Sequence, residues 1–258
     1  MNSDIINFRG SEILREEAEC IQELEKIIGE KATSRTKMLD VFVPLQFIAE
    51  KSRVTHLTMH NYPFSEFPDP ITELTSLNMI YLTSTGIKHI PESIGELQSL
   101  NKLAIDTGKI SDLPDSLGEL QSLKTLMLQK NKLNEIPDSV FQLKGLENLY
   151  LSSNQINKVS ELIGNLKKLK ELNLSWNQIQ ELPDSIGNLL NLEKLILSKN
   201  QIRRIPESFK NLDSIKEVWL HDNALKSLPK FISDLSSLRS FQIDGNPVAE
   251  NPDKHAQK

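Results

Sequence analysis

The side chains best suited to chemistry are few and scattered: His56, His60, His89, His221, His255 and the lone Cys20. Acyl transfer needs a hydroxyl, a histidine and an acid converging in a cleft. Ser198, His221 and Asp222 come nearest to that set. Adjacent residues of a strand point to opposite faces, so a chance grouping among many serines explains these three better. Two histidines could hold a metal, but His56 and His60 stand about 13 Å apart along a strand, too far to ligate one ion. The chain has no Cys-x-x-Cys, no His-Glu-x-x-His and no glycine loop of the phosphate-cradling kind. Asn173-Leu174-Ser175 matches a glycosylation acceptor but falls in a predicted strand. Cys20 lies on an apolar helical stripe and reads as a small buried hydrophobe, not a reactive thiol. The expectation is a non-enzymatic protein without cofactor or metal.

What organises the chain is a repeat. An apolar residue recurs every 23 positions at Val54, Leu77, Leu100, Leu123, Leu146, Leu169, Leu192, Ile215 and Leu238. These starts define eight full units and a truncated ninth. A fixed period of this size signals a solenoid, in which stacked units bury a core that none could bury alone. In the unit at Leu169, Leu172 and Leu174 alternate as in a strand with one buried face. The later apolar positions, spaced by three or four, suit short helical turns. Pro183 and Asp184 fit the start of such a turn, where proline loses no donor and an acid is favoured.

The pattern L-x-x-L-x-L-x-x-N-x-[LI]-x-x-[LI]-P, recurring in register from Val54 to Val248, resembles that of leucine-rich repeats. The ending Leu-Pro-x-x-Ile-x-x-Leu is similar to the 23-residue subclass of intracellular signalling scaffolds. It is also similar to leucine-rich-repeat proteins of bacteria, a spirochaete group among them. The resemblance implies an α/β solenoid, a horseshoe with a concave parallel β-sheet and short 3₁₀ turns on the convex side.

Asn131, Asn154, Asn177, Asn200, Asn223 and Asn246 share one unit position. An inward asparagine both donates and accepts, so it can satisfy backbone groups of the adjoining turn. The first three units carry Tyr62, Thr85 and Gly108 there, which predicts a less regular ladder. Thr85 retains a group able to pair. Ser160 replaces the proline of its unit and leaves that convex turn less determined.

Residues 1–53 do not fit the repeat and are expected to form an N-terminal helical cap. A helix is predicted from Ser11, as N-cap, to about Ile28, with Gly29 as its stop. Glu17 interrupts its apolar stripe without an evident reason. The segment from Leu39 to Ile48 reads as a degenerate half-unit that joins this helix to the repeats. Residues 54–248 form the repeats and 249–258 a polar tail. No capping helix is evident at the C-terminal edge, and an open edge is a pairing hazard. A homo-oligomer through that edge is therefore one expectation.

Net charge is −5, which argues against non-specific nucleic-acid binding, since that needs a basic face. No apolar run is long enough for a membrane span. The N-terminus lacks the basic start and apolar stretch of a signal peptide. One cysteine favours a reducing compartment or a bacterial source. The expected location is cytoplasmic, or outside a bacterium if a signal segment was removed.

The outward column of the strands should be the most solvent-facing part of the sheet. It reads Thr58, Tyr81, Ala104, Met127, Tyr150, Asn173, Ile196, Trp219 and Gln242, with Trp176 just beyond. Large apolar groups in such a row point to an interaction patch, and tyrosine and tryptophan are common interface anchors. Packing across neighbouring strands is the competing explanation. The expected protein-binding residues are Tyr81, Met127, Tyr150, Asn173, Trp176, Ile196 and Trp219. The function expected is a scaffold that holds a protein partner on the concave sheet. The alternative is a substrate-recruiting fragment whose catalytic domain belongs to another chain.

Overall fold

Strands of three to eight residues recur along the chain at the spacing of the sequence repeat, joined through a short α-helix at Pro70–Glu73 in the first repeat and through short 3₁₀ turns in those that follow. The computed structural model describes residues 5–35, 43–62 and 64–250, the last two by backbone alone. The chain divides into two compact units, Met1–Asn131 and Lys132–Lys258.

The first unit opens with a hairpin of β1 (Ile5–Phe8) and β2 (Ser11–Leu14), followed by α1 (Arg15–Ile28). The helix therefore starts three residues later than the sequence suggests, with Leu14 at its N-cap position, and Ser11 is a strand residue. Arg9 and Gly10 both take positive φ, 53° and 87°, which is the two-residue turn that matches the twist of paired strands. Gly29 ends the helix in the left-handed conformation at φ 72°, as its lack of a Cβ permits. Next come β3 (Thr33–Ser34), β4 (Leu45–Glu50) and β5 (Arg53–His60), then β6 (Met79–Thr83), β7 (Lys102–Asp106) and β8 (Thr125–Met127). From β5 to β8 the pairing is parallel and in register. β4 pairs antiparallel with β5 and so covers the first repeat strand. Part of the segment expected to form a half-unit, residues 39–42, lies outside the described residues.

Glu17 now has an explanation. It is buried, pairs with Arg53 Nε at 2.7 Å, and accepts the Val54 N–H at 2.7 Å. Burial pushes its carboxyl above the usual range, and the N–H and guanidinium pull it back. A charge this deep is tolerated only when paired and hydrogen-bonded. It fixes α1 onto the first repeat strand.

The second unit contains β9 (Asn148–Tyr150), β10 (Glu171–Asn173), β11 (Lys194–Ile196), β12 (Glu217–Trp219) and β13 (Ser240–Gln242), parallel and in register. Between them run 3₁₀ turns at Asp138–Gln142, Glu161–Asn165, Asp184–Asn188, Glu207–Asn211 and Lys230–Asp234. Leu149, Leu151, Leu172, Leu174, Leu195, Leu197, Val218 and Leu220 are fully buried. Ser160 starts its 3₁₀ turn as the prolines start theirs, and its hydroxyl accepts the Leu162 N–H at 3.2 Å. The missing proline is thus replaced by a cap. In the last repeat, Ile232, Leu235, Leu238 and Phe241 are only half-buried, because no later strand covers β13 among the described residues. A short helix, α2 (Pro247–Glu250), follows it. The rest of the polar tail lies outside the described residues.

The asparagine ladder forms as its column predicts. In the second unit Asn154, Asn177, Asn200, Asn223 and Asn246 accept the N–H of Leu133, Ile156, Ile179, Ile202 and Leu225 at 2.9–3.0 Å. Their amides donate to carbonyls of the preceding loop; Asn177 Nδ2 reaches Leu151 O and Leu174 O, each at 3.0 Å. In the first unit Asn131 joins Ile110 and Ile105 in the same way. The irregular positions behave differently. A Cβ on Gly108 would stand 2.6 Å from Asn131 Oδ1, so glycine makes room for the first ladder residue. Thr85 is buried, and its hydroxyl has no hydrogen-bond partner among the described residues.

Candidate functional site

Each repeat strand turns alternate side chains away from the leucine core, and these form the open face of the ladder. In the first unit, Thr58, Tyr81, Ala104 and Met127 share one row in register. In the second, Tyr150, Asn173, Ile196, Trp219 and Gln242 do. The rows exist, but they are less exposed than expected. Thr58, Ala104 and Ile196 are buried, and Tyr81, Met127, Tyr150, Asn173 and Trp219 are half-buried. Strands only about 4.8 Å apart let a large side chain cover its smaller neighbour.

Trp176 is the exception. It is 59% exposed and has φ 58°. It stands immediately before a ladder asparagine, at a position that is left-handed in every repeat: Ser153, Trp176, Lys199, Asp222 and Gly245 in the second unit all have positive φ. Left-handed backbone costs an L-residue about 1–2 kcal/mol, and a bulky one is unusual there. Lys199 Nζ lies 4.7 Å from the Trp176 ring centroid and 2.8 Å from Asp222 Oδ2. A second cluster repeats the chemistry, with Lys194 Nζ 4.6 Å from the Trp219 ring centroid and 3.3 Å from Glu217. Each lysine therefore holds an indole by cation–π attraction while an acid holds the lysine. Asp222 is kept below the usual carboxylate range, first by its hydrogen bond to Lys199.

The remaining row members have local partners. Tyr150 donates its hydroxyl to Glu171 at 2.8 Å, and burial with this bond raises its pKa. Asn173 Oδ1 accepts from Ser175 N–H at 3.0 Å and Ser175 Oγ at 2.8 Å. In the first unit Tyr81 meets the His60 ring edge-on at 5.6 Å, and His60 Nδ1 bonds Thr83 Oγ1 at 2.7 Å. Sequence reasoning treated His60 only as a possible ligand; its buried packing depends on cross-strand neighbours that spacing alone does not display.

The acyl-transfer grouping does not assemble. His221 Nδ1 has no hydrogen-bond partner among the described residues, and the Asp222 carboxylate belongs to Lys199. No set of three or more His, Cys, Asp or Glu side chains is arranged for a metal among the described residues. No helix among them is long and apolar enough to cross a membrane. The second unit also bears an open groove of about 1020 Å³ whose lining includes Lys158, Arg204 and the acids Asp138, Glu161, Asp184 and Glu207. These four acids each begin a 3₁₀ turn, where an acid complements the free N–H groups.

Two family models match the chain. One, for the leucine rich repeat, matches residues 98–156 and again 121–179; the other, for a leucine-rich repeat region, matches residues 153–255. No curated protein matches in sequence. Among solved structures, a leucine-rich-repeat protein of Leptospira interrogans is 29% identical, with TM-score 0.67 over 73% of this chain and 54% of that one. An internalin of Listeria monocytogenes shares the fold at 21% identity, with TM-score 0.64 over 84% of this chain and 61% of its own. The plant peptide hormone receptor RGFR1, solved in complex with RGF2, is 28% identical, with TM-score 0.66 over 78% of this chain and 35% of the receptor. The chain thus spans a little over half the length of the two bacterial proteins.

Proposed function

This chain belongs to the leucine-rich-repeat proteins, and we propose that it is a non-catalytic scaffold that binds a protein partner on the open, concave face of its repeats. The observation that carries this reading is Trp176. A large indole is kept in solvent, on backbone that disfavours it, and is oriented by a lysine that is itself held by an acid. Nothing in the packing of the core calls for that residue. Pre-orientation lowers the entropy lost on binding, and tryptophan and tyrosine dominate interface energetics. Tyr150, Asn173, Ile196 and Trp219 continue the same surface in the second unit. Tyr81 and Met127 offer a comparable surface in the first. The complex of the related plant receptor with its peptide supports the reading by analogy of fold.

Affinity capture tests it, comparing the wild type with a Tyr150→Ala/Trp219→Ala double variant and with Trp176→Asn. A partner retained by the wild type and lost from both variants, with thermal unfolding of Trp176→Asn unchanged or raised, is the expected result. Equal capture by all three proteins would overturn it.

A further inference from the structure

Two polar atoms on the open face of the second unit are out of solvent and have no hydrogen-bond partner among the described residues: Trp219 Nε1 and His221 Nδ1. They stand two positions apart along β12 and its extension, so both side chains project from the same face. An unpaired buried polar group costs about 1–3 kcal/mol, and one in a native structure calls for an explanation such as an unseen bridging group. Two side by side, on the surface assigned above to a partner, call for one explanation between them.

The chemistry of the missing group follows from theirs. The indole N–H can only donate, so it needs an oxygen acceptor, while a neutral imidazole nitrogen can accept an N–H. The nearby cations are already engaged, Lys194 with Glu217 and Lys199 with Asp222. Neither lysine therefore brings an unpaired charge with which to hold a carboxylate. A neutral amide meets both demands. In an extended peptide, one residue presents its C=O and N–H toward the same side, as paired strands do when they exchange both bonds.

We infer that Trp219 and His221 form a subsite for the extended backbone of the partner, taking a carbonyl oxygen on the indole N–H and an amide N–H on the imidazole. The inference rests on the scaffold reading and adds the form in which the partner binds. Recognition at this point reads main chain, so it tolerates side-chain variation there.

The test follows the indole N–H resonances of the full chain by NMR, assigned with Trp219→Phe, which keeps a ring and removes the donor. The probe is the blocked peptide Ac-Ala-Val-Ala-NH₂, with sodium acetate in parallel. The expected result is a saturable downfield movement of the Trp219 resonance with the peptide, weakened severalfold by His221→Ala and absent with acetate, while Trp176 stays in place. Movement with acetate and not with peptide would make the ligand a carboxylate and overturn the inference, as would no saturable movement with either. If the Trp219→Phe protein captures the partner as well as the wild type while the double alanine variant does not, the subsite fails and the scaffold reading stands.

Discussion

Replacing one ladder asparagine in the middle of the second unit should cost far more than its small size suggests. Asn177 Oδ1 accepts the Ile156 N–H at 2.9 Å, and its amide donates to Leu151 O and Leu174 O. In Asn177→Ala the two carbonyls keep a second donor, since Asn154 also reaches Leu151 O and Asn200 also reaches Leu174 O, at 3.0 and 2.9 Å. The Ile156 N–H has no such substitute. Stranding a buried donor costs about 1–3 kcal/mol, and two lost hydrogen bonds add about 0.5–1.5 kcal/mol each. The expected loss is therefore about 2–6 kcal/mol. Urea unfolding followed by far-UV circular dichroism measures it, with Asn157→Ala, an exposed asparagine outside the ladder, as the control. That control should stay within about 0.5 kcal/mol of the wild type. An unchanged m value identifies the loss as one of stability and not of cooperativity. A loss of 1 kcal/mol or less would refute the claim that the asparagine column closes the turns.

Two further outcomes concern titratable groups. His60 is buried and its pKa is lowered by that burial, so the neutral ring belongs to the folded state. Its contribution is present above the unfolded pKa of about 6.5 and is lost as pH falls through that value. Wild type should lose stability between pH 7.5 and 5.5, on the order of 1 kcal/mol per unit of pKa shift, and His60→Gln should lose less. Equal losses in urea titrations of the two proteins would exclude the histidine as the cause. Cys20 donates to Glu73 at 3.3 Å, and burial followed by that bond pushes its pKa up to about 12. The thiolate is the reactive form, so the native protein should resist a disulfide reagent at pH 8 and react only when denatured; rapid labelling of the native protein would contradict this.

The repeat was legible in the sequence because its signal is a period, and a period survives the loss of individual residues. Ser160 and Gly108 show how local exceptions are absorbed, one by capping a turn and the other by yielding space to Asn131. The asparagine column was legible for the same reason, since one chemical need recurs at one position. What sequence did not display depends on partners brought near by folding. Glu17 looked like a flaw in a helical stripe until Arg53 and the Val54 N–H came beside it. The hairpin before α1 was hidden because its strands have four residues each and its turn is Arg-Gly rather than a stronger turn pair. The outward column of the strands lies in one row within each unit, but its burial was not legible, since exposure of Ile196 or Ala104 is decided by the size of residues on adjacent strands. The left-handed position before each asparagine left almost no trace, with serine, tryptophan, lysine and aspartate all occupying it.

The asparagine ladder also has a direction. Asn223 serves Ile202 and Leu197, and Asn246 serves Leu225 and Leu220, so each repeat followed by a ladder asparagine depends on its successor to finish its loop. Because a chain is made from its N-terminus, the newest loop always waits, incomplete, for a side chain not yet synthesised. Only a following segment of matching length brings that amide within reach. An insertion between two such repeats would carry that amide out of reach, which gives the unbroken spacing from Leu100 onward a physical cause.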